Sequence, residues 1–130
     1  IVIGVSTGGT LAWWLAAHAP QQLDKLVLIS PNFKLRAGGT ELLAGPWGEQ
    51  ITRLLMGEAR CFETQNPQQA KYWTECYQTK ALQPMFGLLK LVEGIPASAV
   101  SQPVFTAYSP DDTVVDAQYS QERALRHFLK

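Results

Sequence analysis

The sequence is poor in the residues that most often carry metal and redox chemistry. Its 130 residues hold two cysteines, Cys61 and Cys76, and two histidines, His18 and His127. Neither cysteine stands in a C-x-x-C pair, and two histidines this far apart suggest no ligand cluster, so no metal site is expected. Both cysteines fall in a stretch that reads as helical. They are expected to be reduced thiols, with a disulfide as the alternative for an exported protein. Excess charge is also lacking: Lys+Arg and Asp+Glu number 11 each. A balanced surface advertises neither nucleic acid nor an anionic membrane as a partner. No apolar run approaches the ~20 residues needed to span a bilayer, so no transmembrane segment is expected. There is no initiating methionine, and the chain opens inside an apolar strand pattern. It is read as a piece of a longer polypeptide.

With 46% hydrophobic and 17% charged residues, the composition is that of one globular domain able to bury a core. Its most informative stretch is the first ten residues. Ile1-Val2-Ile3 reads as a buried strand. Gly4, Ser6 and Gly8 then spell G-x-S-x-G, and Leu11-Ala12-Trp13-Trp14-Leu15 follows as a helix. A serine on a sharp turn between strand and helix is the context of a nucleophile elbow, with its hydroxyl raised above the sheet edge. Side chains at Gly4 or Gly8 are expected to collide with neighbouring backbone. The helix start brings positive potential to where an oxyanion would form. Two other readings of these residues exist. One is a plain strand-to-helix turn with a solvated serine. The other is a phosphate loop, but no lysine follows the glycines, and a dinucleotide fingerprint needs glycine where Ser6 stands.

The stretch resembles the nucleophile elbow of the α/β-hydrolase superfamily, on its esterase, lipase and lysophospholipase side. Val5 and Thr7 stand where many relatives carry His and Met. The resemblance implies an α/β fold, in the form of the central-to-C-terminal part of that architecture: parallel strands, flanking helices and a helical cap insertion. It implies Ser6 as nucleophile and the Thr7 N–H as one oxyanion donor, with Gly4 and Gly8 as elbow glycines.

Further along, a helix is expected from Thr7 to His18, apolar nearly all round and therefore buried. Ala19-Pro20 stops it. Lys25 to Pro31 is a second strand, apolar throughout, as in a parallel sheet covered on both faces. Its Ser-Pro ending agrees with the resemblance. Residues 39–94 carry helix patterns and no strand pattern. Trp47, Ile51, Leu54 and Leu55 share one helix that ends at Gly57. Asn66-Pro67 starts another, with Ala70, Trp73 and Tyr77 on one face. Pro84 starts a third, bearing Phe86, Leu89 and Val92. By resemblance this segment is the cap. Trp47, Phe62, Tyr72, Trp73 and Phe86 either pack among its helices or line an acyl pocket. Gln102 to Tyr108 is the third strand, and Ser109 to Asp116 the loop after it. Relatives place the acid of a catalytic triad in such a loop in the pattern D-x-V-V. That register selects Asp112, with Asp111 as runner-up. Asp116 caps a last helix whose apolar side is Leu125, Phe128 and Leu129.

The expected division is 1–38 for the elbow unit, 39–94 for the cap and 95–130 for the acid loop and last helix. The reading is a serine hydrolase of carboxylic esters acting through an acyl-enzyme, on a small-molecule ester or lipid-like substrate, with no cofactor. In the family's order the triad histidine comes after the acid, and neither His18 nor His127 fits that place. These 130 residues alone are therefore expected to be inactive. The strand at Ile1 would carry an open edge, through which the chain is expected to form a homo-oligomer if that edge is not covered by more of the same polypeptide. Rival readings are an acyltransferase or peptidase on the same fold, and a non-catalytic binding or scaffold domain.

Overall fold

The computed structural model describes residues 1–64 and 66–129. It divides into two compact units, one formed by 1–40 with 87–130 and the other by 41–86.

The first unit is built on a three-stranded parallel sheet. Strand β1 (Val2–Val5) leads into helix α1 (Thr7–His18), and strand β2 (Leu26–Ile29) follows. Strand β5 (Val104–Ala107) completes the order β1-β2-β5. Register is continuous across the sheet: Ile3 faces Val27, which faces Phe105. Side chains alternate across a strand, so the two faces can be compared row by row. One face carries Leu26, Leu28 and Val104, all buried with Ala12, Trp13 and Ala16 of α1 and with Phe33, Val92 and Val100. The other carries Ile3, Val5, Ile29 and Phe105, which are exposed by 66, 55, 40 and 63%. The expectation of a sheet covered on both faces is therefore corrected: among the described residues only one face is covered. Helix α1 is corrected in the same way. It spans the expected residues, but Leu11 is 53% exposed, while Gly9, Thr10, Ala12, Trp13 and Ala16 are buried and Trp14, Leu15 and Ala17 pack against the core partly buried.

Helix α6 (Ala117–Phe128) begins at Asp116, whose carboxylate accepts the N–H of Tyr119 at 2.9 Å. Its inward residues are Ser120, Arg123 and His127, while Leu125, Phe128 and Leu129 are exposed. The inward polar groups reach backbone oxygens distant along the chain, although Arg123 Nε has no hydrogen-bond partner among the described residues. The Ser120 hydroxyl donates to Pro31 O. Arg123 Nη2 donates to Val92 O and Ile95 O, each at 2.7 Å, at the end of helix α5 (Gln83–Glu93). Its guanidinium lies 5.2 Å from the Trp13 ring and 5.0 Å from that of Phe33. Burial pushes the Arg123 pKa down. Carbonyls and aromatic faces offset the lost hydration.

The second unit contains helix α3 (Gly48–Met56), strand β3 (Ala59–Cys61), helix α4 (Pro67–Tyr72) and strand β4 (Cys76–Gln78), preceded by a short helix α2 (Thr40–Leu43). Strands β3 and β4 pair antiparallel with Cys61 opposite Cys76, and a disulfide joins the two. Two expectations fall here. This stretch does contain strands, and the cysteines lie on them as a bonded pair, not as thiols in a helix. Each strand is three residues long, too short for alternation to register as a pattern. Tyr77 consequently sits on β4 and not beside Ala70, and Trp73 is the residue that ends α4. The Asn66 cap is present, its side chain accepting from Gln69 N at 2.9 Å. Helix α3 ends at Gly57, with φ 77°.

Candidate active site

Ser6 lies between the last residue of β1 and the first of α1, at φ 51° and ψ −123°. For a residue with a Cβ this is a sparsely populated conformation, costing on the order of 1–3 kcal/mol. The surrounding backbone holds it there. Ser6 N–H donates to Ile29 O at 3.0 Å, and Ser6 O accepts from Gly9 N at 2.9 Å and Asn32 N at 3.0 Å. Serine at the first position of a helix ordinarily turns its hydroxyl back to bond the second or third N–H. Here it makes no such cap.

The tightness of the turn falls on two glycines. A Cβ on Gly4 would lie 2.5 Å from Gly8 O and 2.6 Å from Gly9 Cα. One on Gly9 would lie 3.0 Å from Pro31 Cβ. A Cβ on Gly8 would meet nothing within 4 Å. The expected collision at Gly8 is thus corrected: Gly8 points to open space, and Gly9 is the crowded helical glycine. Thr7 follows as the first helical residue. The first N–H groups of a helix have no partner inside it and form its positive end.

Asp112 lies in the loop after β5. Its Oδ1 accepts two backbone bonds, from Val114 N and Val115 N, both at 2.9 Å. Arg36 Nη1 donates to the backbone oxygen of Asp112 at 2.8 Å. The Val115 bond, followed by that of Val114, by Ser30 and by the charge of Arg36, holds its pKa below the usual carboxylate value, against partial burial. Its contribution to stability is therefore complete above the ordinary value and is lost as pH falls through the lowered one. Asp111 differs: it is exposed, and only its backbone is engaged, donating to Ser109 Oγ at 3.3 Å.

Ser6, Ser30 and the Asp112 loop follow the carboxyl ends of β1, β2 and β5, which are neighbours in the sheet. At roughly 4.8 Å per strand, the ends of β1 and β5 lie about 10 Å apart. Ser30, which residue-by-residue reading left as a strand terminus, sits between them. Its N–H donates to Ala107 O at 2.7 Å, and it has the second positive φ of a non-glycine residue, 41°. No sequence signal marks that conformation, since serine rarely adopts it.

Both histidines belong to the opposite end of the sheet. His127 is buried, with Nδ1 3.4 Å from Ala97 O and Nε2 3.1 Å from Gln102 O, both in the chain that leads into β5. His18 ends α1, about 18 Å along the helix at 1.5 Å per residue. Its Nδ1 is 2.8 Å from Trp14 O, and its ring stacks on Trp14. Among the described residues no group of three or more His, Cys, Asp or Glu could hold a metal ion, and no helix is long and apolar enough to cross a membrane.

No family model matches the chain, and no curated protein matches its sequence. The backbone, however, is similar to a solved structure from the pair LipS and LipT, two metagenome-derived lipolytic enzymes. The TM-score is 0.59 at 16% identity, over 95% of this chain and 48% of that one. The chain spans about half the length of the protein it matches. The likeness concerns the fold, which is α/β and α/β-hydrolase-like, with a parallel sheet flanked by helices.

Proposed function

We propose that these residues supply the nucleophile and the acid of a serine hydrolase that cleaves carboxylic esters. The observation that carries the reading is Ser6: a non-glycine residue in a strained conformation, at the carboxyl end of a parallel strand, that begins a helix without capping it. In this reading the Ser6 hydroxyl loses its proton to an imidazole and attacks the acyl carbonyl. The Thr7 N–H at the helix start receives the developing oxyanion. The alcohol leaves with the proton from the imidazole, and water then cleaves the acyl-serine. Asp112 orients the imidazole and stabilises its cation. His18 and His127 are engaged elsewhere, so the imidazole comes from outside these 130 residues.

Residues 39–94 act as the cap in the same reading. Within it Trp47, Leu54 and Leu55 are exposed by 70, 85 and 68%. The lipolytic activity of LipS and LipT supports an ester or lipid-like substrate by analogy of fold.

The test is a fluorophosphonate probe on the full-length polypeptide. Labelling is expected in the wild type and absent in Ser6→Ala. Asp112→Asn is expected to lower turnover by about four orders of magnitude, and Asp111→Asn by far less. Equal labelling of wild type and Ser6→Ala would remove the nucleophile from the reading.

A further inference from the structure

Two buried hydroxyls converge on the segment that leaves β2. Thr10 Oγ1, in α1, donates to Asn32 O at 2.5 Å. Ser120 Oγ, in α6, donates to Pro31 O at 3.1 Å. The two carbonyls are consecutive along the chain. Both side chains are buried, with Thr10 fully enclosed and Ser120 1% exposed. Each of the two helices carries one end of the candidate site. Helix α1 starts at Ser6, and α6 starts where the Asp112 loop ends.

A threonine inside a helix ordinarily turns its hydroxyl to the carbonyl one turn back. For Thr10 that carbonyl is Ser6 O, which is already occupied. It accepts Gly9 N–H at 2.9 Å, Asn32 N–H at 3.0 Å and Thr10 N–H at 3.4 Å. The Thr10 hydroxyl reaches instead to a residue 22 positions away. Asn32 is thus held to the serine turn from both sides of its Cα, its N–H on Ser6 O and its C=O on Thr10 Oγ1. Pro31 seats against Gly9, where a Cβ would lie 3.0 Å from Pro31 Cβ. On the acid side, Ser30 N–H donates to Ala107 O at 2.7 Å, at the end of β5, and Ser120 holds Pro31 O. Residues 30–32 are therefore a spacer. One side grips the nucleophile turn, and the other grips β5 and α6, the two flanks of the Asp112 loop.

We propose that Thr10 and Ser120 are positioning residues for the proposed reaction: through the consecutive carbonyls of Asn32 and Pro31 they fix the nucleophile turn relative to the acid loop, so that one imidazole meets both Ser6 and Asp112. The inference rests on the hydrolase reading above and goes beyond it by assigning what sets the separation of the two ends. Neither hydroxyl touches substrate or the reacting atoms.

The experiment compares wild type, Thr10→Val, Thr10→Ser, Ser120→Ala and the double variant Thr10→Val with Ser120→Ala, all in the full-length polypeptide. Turnover of a short-chain nitrophenyl ester and the rate of Ser6 labelling by a fluorophosphonate are measured well below each melting temperature. Valine keeps the shape of threonine and removes the hydroxyl. In Thr10→Val, kcat is expected to fall by about tenfold or more with KM within about twofold, since a shift of about 1 Å in reacting groups costs up to about 100-fold. Labelling of Ser6 is expected to slow in parallel. Thr10→Ser keeps the hydroxyl and is expected to retain most of the activity. Ser120→Ala is expected to lower kcat in the same direction. The double variant is expected to lose less than the product of the two single losses, because both grips act through one segment. Unchanged kcat in Thr10→Val and Ser120→Ala, with only a lower melting temperature, assigns both hydroxyls to the fold and overturns the inference. Equal losses in Thr10→Ser and Thr10→Val, or single losses that multiply in the double variant, also overturn it. If Thr10→Val does not fold, Ser120→Ala decides by the same readings. All of these outcomes leave Ser6 and Asp112 in their roles. Absence of both ester turnover and Ser6-dependent labelling in the wild type overturns the hydrolase reading, and this inference with it.

Discussion

In the unit formed by 1–40 and 87–130, Trp13, Ala16, Leu26, Leu28, Val92 and Val100 are each no more than 1% exposed and form one continuous cluster. In the unit formed by 41–86, the buried apolar side chains among the described residues are Leu43 and Phe86. What that unit has in place of a cluster is a set of local clasps. Thr52 Oγ1 donates to Gly48 O at 2.7 Å and accepts from Gln83 Nε2 at 3.1 Å. Thr79 Oγ1 donates to Gly57 O at 2.8 Å. A Cβ on Gly48 would lie 1.8 Å from Leu43 O, so the backbones touch there. The Cys61–Cys76 disulfide closes the hairpin. The difference follows from core size. A segment too small to bury much apolar area relies on covalent and hydrogen-bonded closure. The larger unit draws on burial, so it can hold Ser6 and Ser30 in conformations that cost free energy.

Trp13→Ala should separate the two regimes most clearly. It removes the largest buried side chain and one aromatic face from Arg123. A loss of about 3–5 kcal/mol is expected in denaturant unfolding followed on the sheet unit. Amide protection in β3 and β4 should change little. The matching change in the other unit is replacement of Cys61 and Cys76 by serine. Closing a loop of about 15 residues is worth about 3 kcal/mol in the chain-entropy account. The loss should appear as faster hydrogen exchange within 41–86. Equal loosening of β1 and β2 would erase the distinction between the units. The smallest effect sharpens the comparison inside the sheet unit. Gly4→Ala forces a Cβ against backbone and should cost about 1–3 kcal/mol. Gly8→Ala enters open space in a helix and should be neutral or stabilising by up to about 1 kcal/mol. Thermal melts of the pair would reveal the ranking.

The strand–helix–strand unit was legible because its signals are local: branched apolar residues, a glycine-flanked turn and Ala19-Pro20 as a stop. The caps at Asn66 and Asp116 were legible for the same reason. Other features depended on which neighbour a residue meets. Leu125 and Phe128 mark an apolar side of α6, yet Arg123 and His127 are the residues that turn inward, because carbonyls and the Trp13 ring are there to receive them. The hairpin at Cys61 and Cys76 was hidden because two three-residue strands carry no period. At the candidate site, the turn around Ser6 and the loop around Asp112 stood out in the sequence. Ser30, Arg36 and the crowding of Gly9 did not, since each takes its meaning from a partner distant along the chain.

Synthesis proceeds from one end, which sets an order on this sheet. Val2 and Leu26 are paired neighbours in register, so β1 and β2 can zip as soon as both have left the ribosome. Leu26 pairs with Val104, and all of 41–86 lies between them. The β2 edge must therefore wait, unpaired and apolar, while the intervening segment is made. Such long-range parallel pairing is slow and exposed to wrong partners. A hairpin that closes early on its own disulfide and threonine clasps shortens the free chain during that wait.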